Sequence, residues 1–370
     1  MDLLERVTST GLLRPARPVL VLLSGGRDSV CLLDLAVRIA GRAHVAALHC
    51  NYGLREAAGA DERHCADLCE RLGVELHVRR PRRPAGPDDP RTEADSPPGT
   101  GGGTEPASPA GSQPASPAGS QPASPAGTQP AAGTGRGRGN LQAWARDARY
   151  GAAVELVLSR GGDIAAGHTA SDQVETVLYR LAASPGRRAL LGMAARDGRL
   201  VRPLLGSSRE ETAAHCAARG LAWREDASND APDFARNRVR NELLPALRSL
   251  HPAAEANVLR TLALLRDEAS VLDAIVDEAL AGAGDPPALA ALRELPPALR
   301  RLALQRLADT AAAGSGPAPA IGHRADEVIA LDEGGALDVG RGLRAEVRDG
   351  GLLFGHSHGP AAPRPDRARP

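Results

Sequence analysis

The stretch Ser24-Gly25-Gly26-Arg27-Asp28-Ser29 holds the residue types from which an anion site is built. Two glycines let the backbone turn sharply and approach a ligand closely. Ser24 and Ser29 supply hydroxyl donors. A short apolar run, Val19 to Leu23, precedes the stretch, and a helical pattern through Val30, Leu33, Val37 and Ala40 follows it. A helix starting here aims its unpaired N–H groups, and the positive end of its dipole, at whatever the loop holds. Asp28 would repel bare phosphate, so it points to a divalent cation lying between carboxylate and phosphate. The plainer alternative is a glycine turn with Asp and Ser as helix caps. The order strand, turn, helix weighs against it.

A second block, Ala166-Gly167-His168-Thr169-Ala170-Ser171-Asp172-Gln173-Val174-Glu175-Thr176, follows another strand signal and enters a helix. Asp172 and Glu175 are three apart, so both carboxylates project from one helical face. There they could share Mg²⁺ with phosphate oxygens, or merely complement the helix dipole. His168 alone reads as a core or capping histidine, and its company makes it a catalytic candidate. Between Arg180 and Arg202 there are six Arg and one Asp, Asp197, and Arg236, Arg238 and Arg240 cluster beside Asn237. Such arginines either form a solvated basic surface or bind phosphate bidentately. Aromatic residues make up only 2% of the chain, so no stacking platform for RNA bases is visible.

The elements that position these residues alternate. Strand signals at 45–49, 74–78 and 163–167 are interleaved with helical patterns at 61–72, 141–159 and 171–181. This repetition predicts an α/β fold with a doubly wound parallel sheet, its ligand site at the carboxyl ends of the strands. From Ser207 the pattern turns helical. Ser208 and Glu211 are spaced as a capping box. Helices are expected over 236–250, 254–280 and 287–312, then two short strands around Asp349-Gly350-Gly351. Two units follow, an α/β unit over 1–206 and a largely helical C-terminal unit over 207–358, with a disordered tail at 359–370.

Residues 82–139 interrupt the first unit. They repeat SPAGSQPA, SPAGSQPA and SPAGTQPA in a tract without aliphatic pattern. Such a tract buries too little apolar surface to offset its ordering entropy, so a disordered surface insertion is expected. A partner-binding polyproline segment is the other option.

Composition narrows the chemistry. Across 370 residues there is no Lys, which excludes a lysine-bearing P-loop and any Schiff-base lysine. A net charge of zero confines any nucleic-acid contact to a local patch. The five cysteines form no CxxC pair and fit free thiols in a reducing cytoplasm, although Cys65 and Cys69, one helical turn apart, leave a weak metal site open. The N-terminus is unlike a secretory signal, and no run of about 20 apolar residues spans a membrane.

The loop at 24–29 resembles the pyrophosphate-binding loop of the N-type ATP pyrophosphatases (the PP-loop family), which cleave ATP to AMP and pyrophosphate while activating a substrate oxygen. The block at 166–176 resembles the GHTxDDQxET motif of the tRNA(Ile)-lysidine synthetase family within that group. So do Leu48-His49-Cys50-Asn51-Tyr52-Gly53-Leu54-Arg55 (HxNHGLR), Ala145-Arg146-Asp147-Ala148-Arg149-Tyr150, Arg202-Pro203-Leu204-Leu205, and 223–229 followed by Arg236-Asn237-Arg238-Val239-Arg240. These blocks keep family order from residue 19 to about 250.

The resemblance implies an adenine nucleotide alpha hydrolase-like fold and the use of ATP and Mg²⁺. It implies two half-reactions: adenylation of the wobble cytidine of the CAU anticodon of tRNA(Ile), then attack by free L-lysine to give lysidine. It assigns Ser24, Gly25, Gly26, Arg27, Asp28, Ser29 and Asn51 to the nucleotide, and Asp28, Asp172 and Glu175 to the metal. Asp28, His168, Asp172, Glu175, Arg146 and Arg236 become catalytic candidates, and Arg149, Asn237 and Arg238 substrate or tRNA contacts. The helical C-terminal unit would position tRNA. The enzyme would be cytoplasmic, bind no membrane, and leave a homodimer open. Departures are Ser171 for the first Asp of the DD pair, Tyr52 for the second His of HxNHGLR, and Ala183-Ser184 where Arg-Gly is common. The nearest rival is a PP-loop tRNA thiolase, against which the lack of CxxC speaks. A small-molecule synthetase and a non-catalytic nucleotide-binding module are more distant.

Overall fold

In a computed structural model, residues 2–54, 56–82, 136–183, 187–224, 235–313 and 318–356 are described. Residues 83–135 of the expected insertion, Arg55, Ser184, the motif residues 225–229 and the expected tail lie outside them. The chain forms two compact units, Met1–Thr169 with Ala195–Asn237, and Ala170–Ala194 with Arg238–Pro370.

The first unit opens with α1 (Leu3–Ser9), whose N-cap Asp2 and Glu5 make a capping box. Then come β1 (Val19–Leu22), α2 (Arg27–Ala40), β2 (Val45–Cys50), α3 (Ala58–Leu72), β3 (Glu75–Arg79), α4 (Arg136–Arg160) and β4 (Asp163–Ala165). Helices α5 (Ala170–Ala183) and α6 (Arg187–Leu190) belong to the second unit. The chain returns through β5 (Arg196–Asp197), β6 (Leu200–Val201) and α7 (Arg209–Ala218) to α8 (Ala235–Arg238).

The sheet order is β3-β2-β1-β4-β6-β5. All pairings are parallel except β5 with β6. The winding direction reverses between β1 and β4, so their carboxyl ends form the topological switch point where open α/β sheets bind ligands. The apolar run of β1 is buried on both faces, as a central parallel strand requires. Val19, Val21 and Leu23 join the core with Leu32, Leu33 and Leu35 of α2, while Leu20 and Leu22 pack with Ala153 and Val157 of α4. Each such leucine, taken out of water, contributes about 1.5–3 kcal/mol. Gly162 makes the turn from α4 into β4 at φ +93°, with a Cβ there falling 2.1 Å from the Pro18 carbonyl oxygen. Only glycine fits that crossing.

The second unit continues through a π-turn at Val239–Leu243 into α9 (Leu244–Leu250), α10 (Ala254–Ala283), α11 (Leu289–Glu294), α12 (Pro297–Ala311) and α13 (Ala325–Ile329). A meander of β7 (Ala336–Gly340), β8 (Leu343–Arg348) and β9 (Gly351–His356) follows. Its core joins Leu292, Leu304, Ile321, Leu343 and Leu352.

Three expectations change. The helix over 236–250 is interrupted by the π-turn. Pro245, early in α9, lacks an N–H, and its ring crowds the carbonyl four residues back, which a widened turn accommodates. The helix over 287–312 is two helices, because Leu295 before Pro296 is forced to extended backbone. Three strands replace two, since Gly340, Arg341 and Gly342 all take positive φ and make a second reversal. No helix among the described residues is long and apolar enough to cross a membrane.

Candidate active site

The loop after β1 is braced from inside. Ser29 Oγ donates to the Gly26 carbonyl at 2.8 Å and lies 3.1 Å from Ser24 Oγ. The Ser24 N–H donates to Ser29 Oγ at 3.2 Å, and the Gly26 N–H to Ser24 Oγ at 3.3 Å. The serines expected to meet phosphate thus also fix the loop's shape, so little ordering cost remains for a ligand. Gly25 has φ +85°, and a Cβ there would stand 3.2 Å from Cys65 Sγ. Gly26 is the N-cap of α2 and has no side chain with which to cap the first-turn N–H groups. An incoming anion can take them instead.

Neighbouring elements hold the loop from outside. His49 Nδ1 lies 2.9 Å from the Leu23 carbonyl and 3.4 Å from Cys65 Sγ. The Arg224 N–H donates to the Gly25 carbonyl at 3.0 Å, while its guanidinium pairs with Asp61. Asp28 Oδ1 accepts from Thr212 Oγ1 at 2.5 Å and lies 3.2 Å from Arg27 Nε. Opposite, the strand end after β4 comes so close that a Cβ on Gly167 would be 3.1 Å from the Asp28 carbonyl carbon and oxygen. His168 follows, half-buried. The sequence singled out the loop, His49, Gly167 and His168, but gave neither Thr212 nor Asp61 a part in this group.

Other expected residues stand elsewhere in the first unit. Asn51, at the end of β2, donates to Glu62 at 2.8 Å and accepts from the Gly53 N–H at 3.0 Å, so its amide shapes the β2–α3 loop. Tyr52, the departure from the family histidine, donates to the Ala145 carbonyl at 2.7 Å and meets Trp144 edge-on at 5.7 Å. Burial pushes its phenol up to about 12. Arg146 and Arg149 lie over the Tyr150 ring at 5.2 and 5.4 Å, cation–π distances. Burial lowers the Arg202 guanidinium from its ordinary value, as expected of an almost buried base.

In the second unit α5 presents Asp172 and Glu175 together, and the π-turn supplies their partner. Arg240 grips the buried Glu175 with two bonds, Nε to Oε1 at 2.7 Å and Nη2 to Oε2 at 2.9 Å. Asp172 Oδ1 lies 3.6 Å from the same guanidinium. Both Glu175 oxygens are therefore engaged by a cation of the chain, a role the 172/175 spacing did not foretell. Gln173, next in the motif, exchanges two hydrogen bonds with the Met193 backbone at 2.8 and 2.7 Å. Arg238 is exposed and 3.6 Å from Glu242, one turn on. Asn237 is half-buried, and the Arg236 side chain lies outside the described residues.

Among the described residues no three His, Cys, Asp or Glu side chains gather at ligating distance. Hard carboxylate oxygens such as those of Asp28 and Asp172 suit Mg²⁺, which takes one or two carboxylates and completes its shell with water and phosphate. The Cys65 and Cys69 sulfurs are soft donors and do not suit it, and burial pushes the two thiols up to about 12 and 11.

The fold and its loop define a PP-loop protein. The model described as "PP-loop domain" matches residues 3–88 and 127–247, leaving out 89–126. The tRNA(Ile)-lysidine synthase of Symbiobacterium thermophilum is 33% identical, over 98% of this chain and 71% of its own length. That of Pseudomonas putida is 35% identical, over 77% of this chain and 58% of its own. The namesake of Salinispora arenicola is 40% identical, over 58% and 68%. Within the PP-loop proteins, the chain belongs to the tRNA(Ile)-lysidine synthase family.

Proposed function

We propose that the chain ligates free L-lysine to C2 of the wobble cytidine in the CAU anticodon of tRNA(Ile), using ATP and Mg²⁺. The observation that carries this reading is the braced Ser24–Ser29 loop at the sheet's switch point, in a chain of this family. Two bonds change in each half-reaction. The cytidine C2 oxygen attacks the α-phosphorus of ATP and pyrophosphate leaves. The lysine ε-amine then attacks C2, AMP departs with that oxygen, and a base takes the ammonium proton.

Mg²⁺, when bound, neutralises phosphate charge and polarises the phosphorus. The loop's N–H groups and the α2 dipole would hold the pyrophosphate. Asp28 would hold the cation, and Asp172 keeps the metal role that its motif gives it. We assign Glu175 to holding Arg240, since both of its oxygens bond that guanidinium. Arg146, Arg149, Arg236 and Arg238 are the proposed phosphate contacts, and His168 and Asp172 the candidates for proton transfer. The cytidine must leave its anticodon stack, at a cost of about a few kcal/mol. The five cysteines form no CxxC pair, which speaks against a thiolase that relies on a cysteine-held cluster.

The test is incorporation of labelled lysine into an unmodified tRNA(Ile) transcript with ATP and Mg²⁺, beside Asp28→Ala. Incorporation that needs ATP and disappears in the variant supports the reading. Pyrophosphate release with another acceptor, and no lysine incorporated, would remove the substrate assignment.

A further inference from the structure

Thr212 is fully buried on α7, one residue beyond the Ser208–Glu211 capping box that fixes that helix's first turn. Its Oγ1 lies 2.5 Å from Asp28 Oδ1 and 3.0 Å from the Arg209 carbonyl. A hydroxyl has one proton to give, and the nearer, charged acceptor takes it. Arg27 Nε, the other described donor to this carboxylate, reaches the same Oδ1 at 3.2 Å. Both donors pin one oxygen, so the Asp28 carboxyl plane is set and Oδ2 is the oxygen left for a ligand. Threonine χ1 on a helix is limited to two rotamers, and the one found here keeps Oγ1 beside the Arg209 carbonyl while directing it at Asp28.

We infer that Thr212 is the positioning residue of the nucleotide site, orienting Asp28 so that Oδ2 meets the divalent cation carried by ATP. The inference rests on Asp28 being that cation's ligand. Helix docking does not need this hydroxyl. His215 Nε2 lies 2.8 Å from the buried Asp34, and Cys216 Sγ lies 3.7 Å from the Arg27 carbonyl, so two further contacts tie α7 to α2. Thr212→Val removes the donor and keeps the shape.

The experiment measures ATP binding by calorimetry against Mg²⁺ concentration in the full chain, with thermal unfolding alongside. A lost charge-assisted hydrogen bond should raise the Mg²⁺ concentration for half-maximal binding about tenfold in Thr212→Val. Binding of ATP in chelator should be unchanged. Thr212→Ser, which keeps the hydroxyl, should stay within about twofold of the parent on the same scale. If Asp28→Asn abolishes the Mg²⁺ dependence while Thr212→Val leaves it untouched, the positioning role falls. A loss in Thr212→Val that Thr212→Ser shares, or that appears equally in chelator, also overturns it. If Asp28→Asn keeps its Mg²⁺ dependence, the assignment of Asp28 itself fails, and this inference with it.

Discussion

Adding one methyl group at Gly167 would test how tightly the two carboxyl-end loops of the sheet are matched. Its Cβ would stand 3.1 Å from the Asp28 carbonyl carbon and oxygen and 3.2 Å from the Ser29 nitrogen. Nonbonded carbon contacts prefer about 3.5–4.0 Å, so the two segments must part by roughly half an ångström. The atoms met are backbone at the start of α2 and cannot swing aside as a side chain would. Overpacking of this kind costs about 1–3 kcal/mol. The displaced segment is the one that would hold pyrophosphate. The N–H groups that would meet pyrophosphate make charge-assisted hydrogen bonds worth about 1.5–3 kcal/mol each, so misaligning one predicts a loss of affinity near tenfold. Gly167→Ala should therefore weaken ATP binding about tenfold and lower the urea midpoint by the equivalent of about 1–3 kcal/mol. Gly151→Ala is the control, since a Cβ there meets nothing within 4 Å in the middle of α4. It should gain about 0.5–1 kcal/mol from helix propensity. An unchanged midpoint and unchanged ATP affinity in Gly167→Ala would show that the strand ends are not rigidly apposed, and would refute the packing argument.

Asp163, nearly buried at the start of β4, accepts bonds from Arg17 and Arg196 at 2.8 and 2.9 Å. Burial pushes its carboxyl up, but hydrogen bonds and charge from the two arginines outweigh this and hold it below its ordinary value. The stability it contributes is whole above pH about 4 and is lost as pH falls through the depressed folded value. Asp163→Asn should cost about 2 kcal/mol near neutral pH and little in strong acid, as read by urea unfolding at several pH values. Arg240→Met should cost about 3–5 kcal/mol by removing the guanidinium that bonds both oxygens of the buried Glu175 carboxylate. Glu175→Gln placed in the same chain should recover part of that, a coupling that a double-mutant cycle would detect. Replacing 89–126, the stretch the family match skips, by a short Gly-Ser linker should leave the denaturant midpoint unchanged. Lysine incorporation should stay within about twofold, because each halving of loop length changes closure by only about 0.6 kcal/mol.

What the sequence disclosed of the fold and the site was local. A buried run, two glycines and a helix start are adjacent in the chain, so the β1–loop–α2 turn could be read directly from residues 19–40. The Ser208–Glu211 capping box spans three residues and is present as spaced. Where a missed feature had a local cause, the cause was visible. Pro296 forbids helix at Leu295, and Gly340-Arg341-Gly342 holds the glycines for a second reversal. Strands β5 and β6 were missed for another reason: two residues each carry too short a pattern to show a period.

The contacts that orient the acids are of a different kind. Thr212 and Asp28 are 184 residues apart, and Arg240 and Glu175 are 65 apart. No spacing rule joins such residues, because their meeting is decided by how whole elements pack. Sequence therefore reveals which groups can do chemistry, while the packed structure decides which oxygen each one offers. Asp28 and Glu175 look alike in the sequence, each an acid near the start of a helix that follows a strand. Packing separates them. Asp28 stays partly exposed with its two donors on one oxygen, and Glu175 is buried with both oxygens given to Arg240. The first arrangement suits the cation-binding role proposed for Asp28, and the second uses the carboxylate to fix an arginine of the chain itself. A carboxylate counted as metal-binding from its motif must therefore be checked for its own arginine before it is given to the metal.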